Sequence, residues 1–151
     1  MNKKKILRYI LLALLVFLIL AQLKRVDNEN PPLPAGQDFF AMQQTDPDMT
    51  QLIRGACYDC HSHETSHPWY TEVAPISWWI KGHIDEGREH LNFSTWGNYD
   101  AEQKHHKMEA CATRTEATEM PLLAYIILHA EARISKEERA EMVQYFSSLA
   151  Q

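Results

Sequence analysis

Ala56-Cys57-Tyr58-Asp59-Cys60-His61-Ser62 holds two cysteines three positions apart, with a histidine directly after the second. This is CxxCH, the pattern by which a chain acquires a covalently attached haem. On one helical turn the two Cβ atoms lie about 5 to 6 Å apart, which suits two thioether bonds to one edge of a porphyrin. The histidine then falls under the iron, where His61 offers an imidazole nitrogen as proximal ligand. A bare CxxC also serves zinc sites, dithiol redox pairs and disulfides. Zinc would want a second ligand pair, but Cys111 stands alone, leaving only a cramped site with His63 and His67. A thioredoxin-like pair would want βαβ units, and no alternating β-branched run is present.

Outward from the motif, the amino-terminal flank begins with Lys3, Lys4, Lys5 and Arg8 and is apolar from Ile10 to Ala21. Ile6 to Leu23 is eighteen residues, interrupted only by Arg8 and Gln22. At 1.5 Å per residue that is about 27 Å, near a bilayer's hydrocarbon thickness. The expectation is an uncleaved transmembrane anchor over residues 1–25, because no good A-x-A site marks a cleavable signal peptide. The basic excess before the span predicts a cytoplasmic amino terminus, with the rest of the chain facing the periplasm or cell exterior as a single-pass inner-membrane protein. Residues 26–37, with Pro31, Pro32 and Pro34, read as a stiff linker, and residues 38–151 as one haem-binding domain.

Charge divides at the same place. The first 25 residues hold six of the fifteen basic side chains and no acid, so the remainder carries nine basic against twenty acidic groups, a formal charge of −11. That balance disfavours nucleic acid and suits a partner with a basic docking face, although a merely soluble acidic domain has the same composition.

The domain reads as all helix. Asp46-Pro47-Asp48 supplies an N-cap and a first-turn proline for a helix running from Pro47 towards Cys57. A second helix is expected from Pro75 to Leu91, with Ile76, Trp79, Ile80, His83 and Ile84 as its inner face. The third runs from Asp100, boxed with Gln103, to Thr115, turning Met108, Cys111 and Ala112 inward. The fourth covers Leu122 to His129, and the last begins at Ser135, boxed with Glu138, burying Met142, Val143, Phe146 and Leu149. No strand is required.

A six-coordinate haem needs a distal ligand. Met120, 59 residues beyond His61 and followed by Pro121, is the leading candidate, and a thioether opposite histidine raises the reduction potential. His129 is its rival, and bis-histidine ligation would lower the potential. His83 and Arg88 are candidate propionate contacts; Trp69, Tyr70, Trp78, Trp79, Trp96 and Tyr99 suit either a porphyrin or an ordinary core.

The segments CYDCHSHETSHPWYTEVAPISWWIKGHIDEGREHLNFSTW and EMPLLAYIILHAEARIS resemble the small haem-binding domain family related to monohaem c-type cytochromes, over roughly residues 40–150. The resemblance implies a cytochrome c-like domain of four to five helices around one haem c behind a single membrane anchor. It implies Cys57 and Cys60 as attachment points, His61 as proximal ligand, Met120 as distal ligand and Cys111 as a buried thiol of the third helix. The long aromatic stretch after CxxCH departs from the more familiar monohaem cytochromes. Two functions follow as expectations: a non-enzymatic electron carrier serving periplasmic or membrane redox proteins, or a haem sensor with an open or displaceable distal site.

Overall fold

A computed structural model of the chain describes residues 2–151. Its elements in order are α1 (Lys3–Ala21), α2 (Phe39–Met42), α3 (Pro47–Ile53), a π-helical turn (Arg54–Tyr58), α4 (Asp59–His61), α5 (Ile76–His90), α6 (Ala101–Glu116), α7 (Leu123–Leu128) and α8 (Lys136–Leu149), joined by 3₁₀ turns at Trp69–Glu72, Phe93–Asn98 and Ala130–Ala132. No strand occurs among the described residues, so the all-α expectation holds. The chain divides into two compact units, Met1–Glu29 with Ser66–Ile84, and Asn30–Thr65 with Asp85–Gln151.

The first unit overturns the membrane reading. Helix α1 contains Lys3, Lys4, Lys5 and Arg8 and ends at Ala21 rather than Leu23. Its uncharged part, Tyr9 to Ala21, is thirteen residues, about 20 Å at 1.5 Å per residue against about 30 Å of hydrocarbon. No described helix is long and apolar enough to cross a membrane. The transmembrane anchor over residues 1–25 and the single-pass inner-membrane location with an outward-facing domain are therefore corrected. The sequence count had extended past the helix end and over Arg8. Beyond α1, the Gln22 amide clasps the Ala74 backbone in both directions, Nε2 donating to its carbonyl at 2.9 Å and Oε1 accepting its N–H at 3.1 Å. Asn28 Nδ2 donates to the Thr71 carbonyl at 3.0 Å, and Trp78 Nε1 to the Lys24 carbonyl at 2.8 Å. Ile76 and Trp79, expected to face inward, are half exposed.

In the second unit Asp46 accepts the Asp48 N–H at 2.9 Å and starts α3 as its cap and proline require. The core is Phe39, Ile53, Tyr58, Phe93, Trp96, Met108, Met142 and Phe146. Tyr58 lies in an aromatic stack, its ring centroid 5.2 Å from Phe40 and 5.1 Å from Phe93, with the Arg54 guanidinium 4.7 Å above it. Such stacking adds to area burial, so a variable position of CxxCH anchors the motif in the core. Helices α6 and α8 pack together through Met108, Ala112, Met142 and Phe146. Both have the expected capping boxes: Gln103 N–H to Asp100 at 2.8 Å with its reciprocal at 3.0 Å, and Glu138 N–H to Ser135 at 3.1 Å with its reciprocal at 2.6 Å.

Candidate haem-binding site

The helix started at Asp46 does not run evenly into the motif. It widens into the π turn Arg54–Tyr58, which carries Cys57, and regains α geometry at Asp59–His61. Such insertions concentrate at functional sites because they re-aim the side chains that follow. Gly55 in this turn admits the backbone of Glu131 in the Ala130–Ala132 turn, whose carbonyl oxygen would stand 2.9 Å from an added Cβ.

His61 is oriented from α5 and its exit. Its Nδ1 is 3.1 Å from the Leu91 carbonyl, which can only accept, so Nδ1 carries the proton and Nε2 keeps the lone pair a metal would need. Burial lowers the pKa of the imidazole, against the opposing pull of the Leu91 and Gly87 carbonyls. Gly87 is the point of closest approach: a Cβ there would meet the Cys60 carbonyl oxygen at 2.8 Å. Only glycine lets α5 sit directly on the motif.

Cys57, Cys60 and Cys111 are free thiols. Burial pushes Cys57 well above its ordinary value, with the nearby Cys111 and Cys60 sulfurs adding to the shift. Burial raises Cys60 to about 11, Asp59 adding and Arg88 opposing, and raises Cys111 to about 12, Lys107 opposing. Burial thus favours the protonated form of all three thiols. Among the described residues, no group of three metal-ligating side chains includes Cys57 or Cys60. His63, weighed as a partner for them, points elsewhere: Nδ1 is 3.1 Å from the Pro32 carbonyl and Nε2 is 2.9 Å from the Asn92 amide.

Asp59, the other variable position, ties the motif to α7. The Tyr125 hydroxyl reaches Asp59 Oδ2 at 2.9 Å and the Gly55 carbonyl at 3.2 Å. Burial, then the Asp59 charge, pushes the Tyr125 phenol far up, so it remains a donor. The His129 ring stacks on Tyr125 at 4.0 Å, its Nδ1 donates to the Tyr125 carbonyl at 3.0 Å, and its Nε2 lies 4.0 Å from Asp59. Tyr125 thus clamps Asp59, and His129 packs on Tyr125 with its donating Nδ1 leaving Nε2 the lone pair.

Beyond His61 the chain is locked by Arg88, whose Nε donates to the Ser62 carbonyl at 2.8 Å and whose Nη2 donates to Thr65 Oγ1 at 2.9 Å and Asn30 Oδ1 at 3.1 Å. Ser62 is fully buried and bonds the Tyr58 carbonyl, and Thr65 bonds the Asp59 carbonyl. Arg88 therefore closes the loop. Met120 belongs to a different turn, after α6. It is half-buried, its N–H donates to the Arg114 carbonyl at 3.2 Å, and its carbonyl accepts from Arg139 at 3.0 Å. His83 lies in the other unit, its ring 4.3 Å from that of Trp79.

Sequence reasoning missed Tyr58, Asp59, Tyr125, Gly55 and Gly87. Gly87 could not be told from Gly82 by sequence, since both interrupt the same helical pattern and only Gly87 meets a neighbouring backbone. The residues present fit a haem: two reduced cysteines one turn apart and a neutral histidine with its Nε2 lone pair preserved. No curated protein and no solved structure matches the chain. The model of the haem-binding domain family matches residues 16–148. With that match laid over CxxCH and its supports, the chain belongs to the haem-binding domain family.

Proposed function

We propose that the chain holds one haem c, through thioether bonds from Cys57 and Cys60 and axial ligation by His61 and Met120, and that it carries single electrons. The observation that carries the reading is the 3.1 Å contact of His61 Nδ1 with the Leu91 carbonyl inside a CxxCH turn. That contact sets the tautomer, points the ring and increases its basicity, as outer-shell partners of metal-bound imidazoles do. The haem, when bound, supplies a reversible one-electron iron couple. Met120 is taken as the distal ligand because the bonds on it involve its backbone; His129 is the rival, since its Nδ1 bond to the Tyr125 carbonyl leaves an Nε2 lone pair just as the Leu91 contact does for His61. A thioether opposite histidine stabilises the ferrous state and raises the potential. The charge of −11 over residues 26–151 supports a redox partner with a basic docking face.

The test is to express the full chain in cells able to attach haem covalently, weigh the denatured polypeptide and record spectra in both oxidation states. The expected result is the mass of one added haem and a low-spin spectrum, with a thioether-to-iron charge-transfer band lost in Met120→Ala and kept in His129→Ala. A polypeptide without added mass removes the attachment reading. A band lost only in His129→Ala, or a high-spin oxidised spectrum, removes the ligand assignment. Rapid carbon monoxide binding by the reduced protein, unchanged in Met120→Ala, would favour the sensor reading.

A further inference from the structure

On the exposed face of α6, His105, His106 and Glu109 present ligand atoms that all lie within 4.8 Å of one another. The spacing follows from helix geometry, Glu109 standing four residues from His105 and three from His106 and so sharing a face with both. We propose that these three side chains form a second metal site, independent of haem, for a divalent transition cation of the zinc type.

His106 stands between two carboxylates of its own helix. Its Nδ1 lies 3.7 Å from Glu109, while its Nε2 lies 4.0 Å from Glu102, one turn back. A cation held between His106 and Glu109 would leave Glu102 beside the other ring nitrogen, where an outer carboxylate can support a metal-bound imidazole. The cations of the same helix are drawn away. Lys104 Nζ lies 5.8 Å over Trp96, and Lys107 Nζ lies 4.4 Å over Tyr99 and donates to the His90 carbonyl. Glu102 and Glu109 are thus left to face the imidazoles without a lysine between them. Two imidazoles and one carboxylate form a borderline-soft set that selects zinc, nickel or copper over magnesium and calcium. Nitrogen and oxygen ligands about 2.0–2.2 Å from zinc lie closer together than these atoms do, and the exposed side chains can close that gap by small rotations. Water completes the shell.

The test is Zn²⁺ titration of the haem-loaded full chain by calorimetry, with Mg²⁺ as control. One Zn²⁺ per chain is expected, with no Mg²⁺ binding and an unchanged haem spectrum. Each of His105→Ala and His106→Ala should weaken binding by more than about tenfold, since losing a ligand costs at least as much as losing an outer-shell partner. Glu102→Gln should weaken it less than Glu109→Gln does. Zn²⁺ should also raise the Tm of the parent and not of the double variant His105→Ala/His106→Ala. These positions are exposed, so the variants fold. Equal Zn²⁺ affinity in parent and double variant, or no binding by the parent, overturns the site. Failure of haem to attach bears on the proposed function and not on this site, whose readout is the difference in Zn²⁺ binding between the parent and the double variant.

Discussion

Gly87 offers a direct measure of how tightly α5 is seated on the CxxCH turn, because α5 holds a second glycine that serves as its control. At Gly87 an added Cβ would stand 2.8 Å from the Cys60 carbonyl oxygen, 3.3 Å from its carbon and 3.4 Å from its Cβ; at Gly82 it would meet nothing within 4 Å. Both alanine variants gain the same helix preference, about 1 kcal/mol over glycine. Only Gly87→Ala adds overpacking against backbone, at a cost of about 1–3 kcal/mol. Gly82→Ala should therefore be stabilised by about 1 kcal/mol, and the difference between the two variants isolates the clash at about 1–3 kcal/mol. Urea denaturation followed by far-UV circular dichroism, with an unchanged m-value, reads that difference as a shift in midpoint. Because the Gly87 and Leu91 carbonyls both hold His61, Gly87→Ala should also broaden or shift the haem absorption while Gly82→Ala leaves it alone. If the two variants agree to within about 0.5 kcal/mol, the ordinary range for inconsequential surface changes, the close seating of α5 on Cys60 is refuted.

Three other outcomes follow from particular contacts. Tyr125→Phe keeps the stack on His129 but removes the bonds to Asp59 and the Gly55 carbonyl, so denaturation should show a loss of about 1–3 kcal/mol; an unchanged midpoint would show that the clamp on Asp59 does not act. Arg88→Lys cannot reproduce the fork to Ser62, Thr65 and Asn30, and should cost about 1–3 kcal/mol and speed amide exchange in residues 62–65; parent-like exchange would contradict the lock. The Glu138 carboxyl is held below its ordinary value of 4.5 by the Ser135 N–H and hydroxyl. With the folded value depressed, its contribution is complete above the ordinary value and is lost as pH falls through the folded one. The parent should thus lose stability more steeply below about pH 4.5 than Glu138→Gln, and parallel curves would remove the argument.

Local chemistry was legible in the sequence wherever neighbouring residues settle it. The caps at Asp46, Asp100 and Ser135 and the buried faces of α6 and α8 followed from hydrogen-bonding side chains and a 3.6-residue period. CxxCH named the candidate ligands for the same reason, because all of its members share one turn. Composition misled at the amino terminus: the apolar count passed over Arg8 and beyond Ala21, while the described helix keeps four cations and offers an unbroken uncharged run of only thirteen residues. What the tertiary structure alone decided is how the motif is held. Tyr58 is buried between Phe40 and Phe93, Asp59 is gripped by Tyr125 from 66 residues away, and the Leu91 carbonyl orients His61 from 30 residues away. Those partners are joined by packing and not by spacing along the chain, so no periodicity records them; they exist only once α5 and α7 close on the turn.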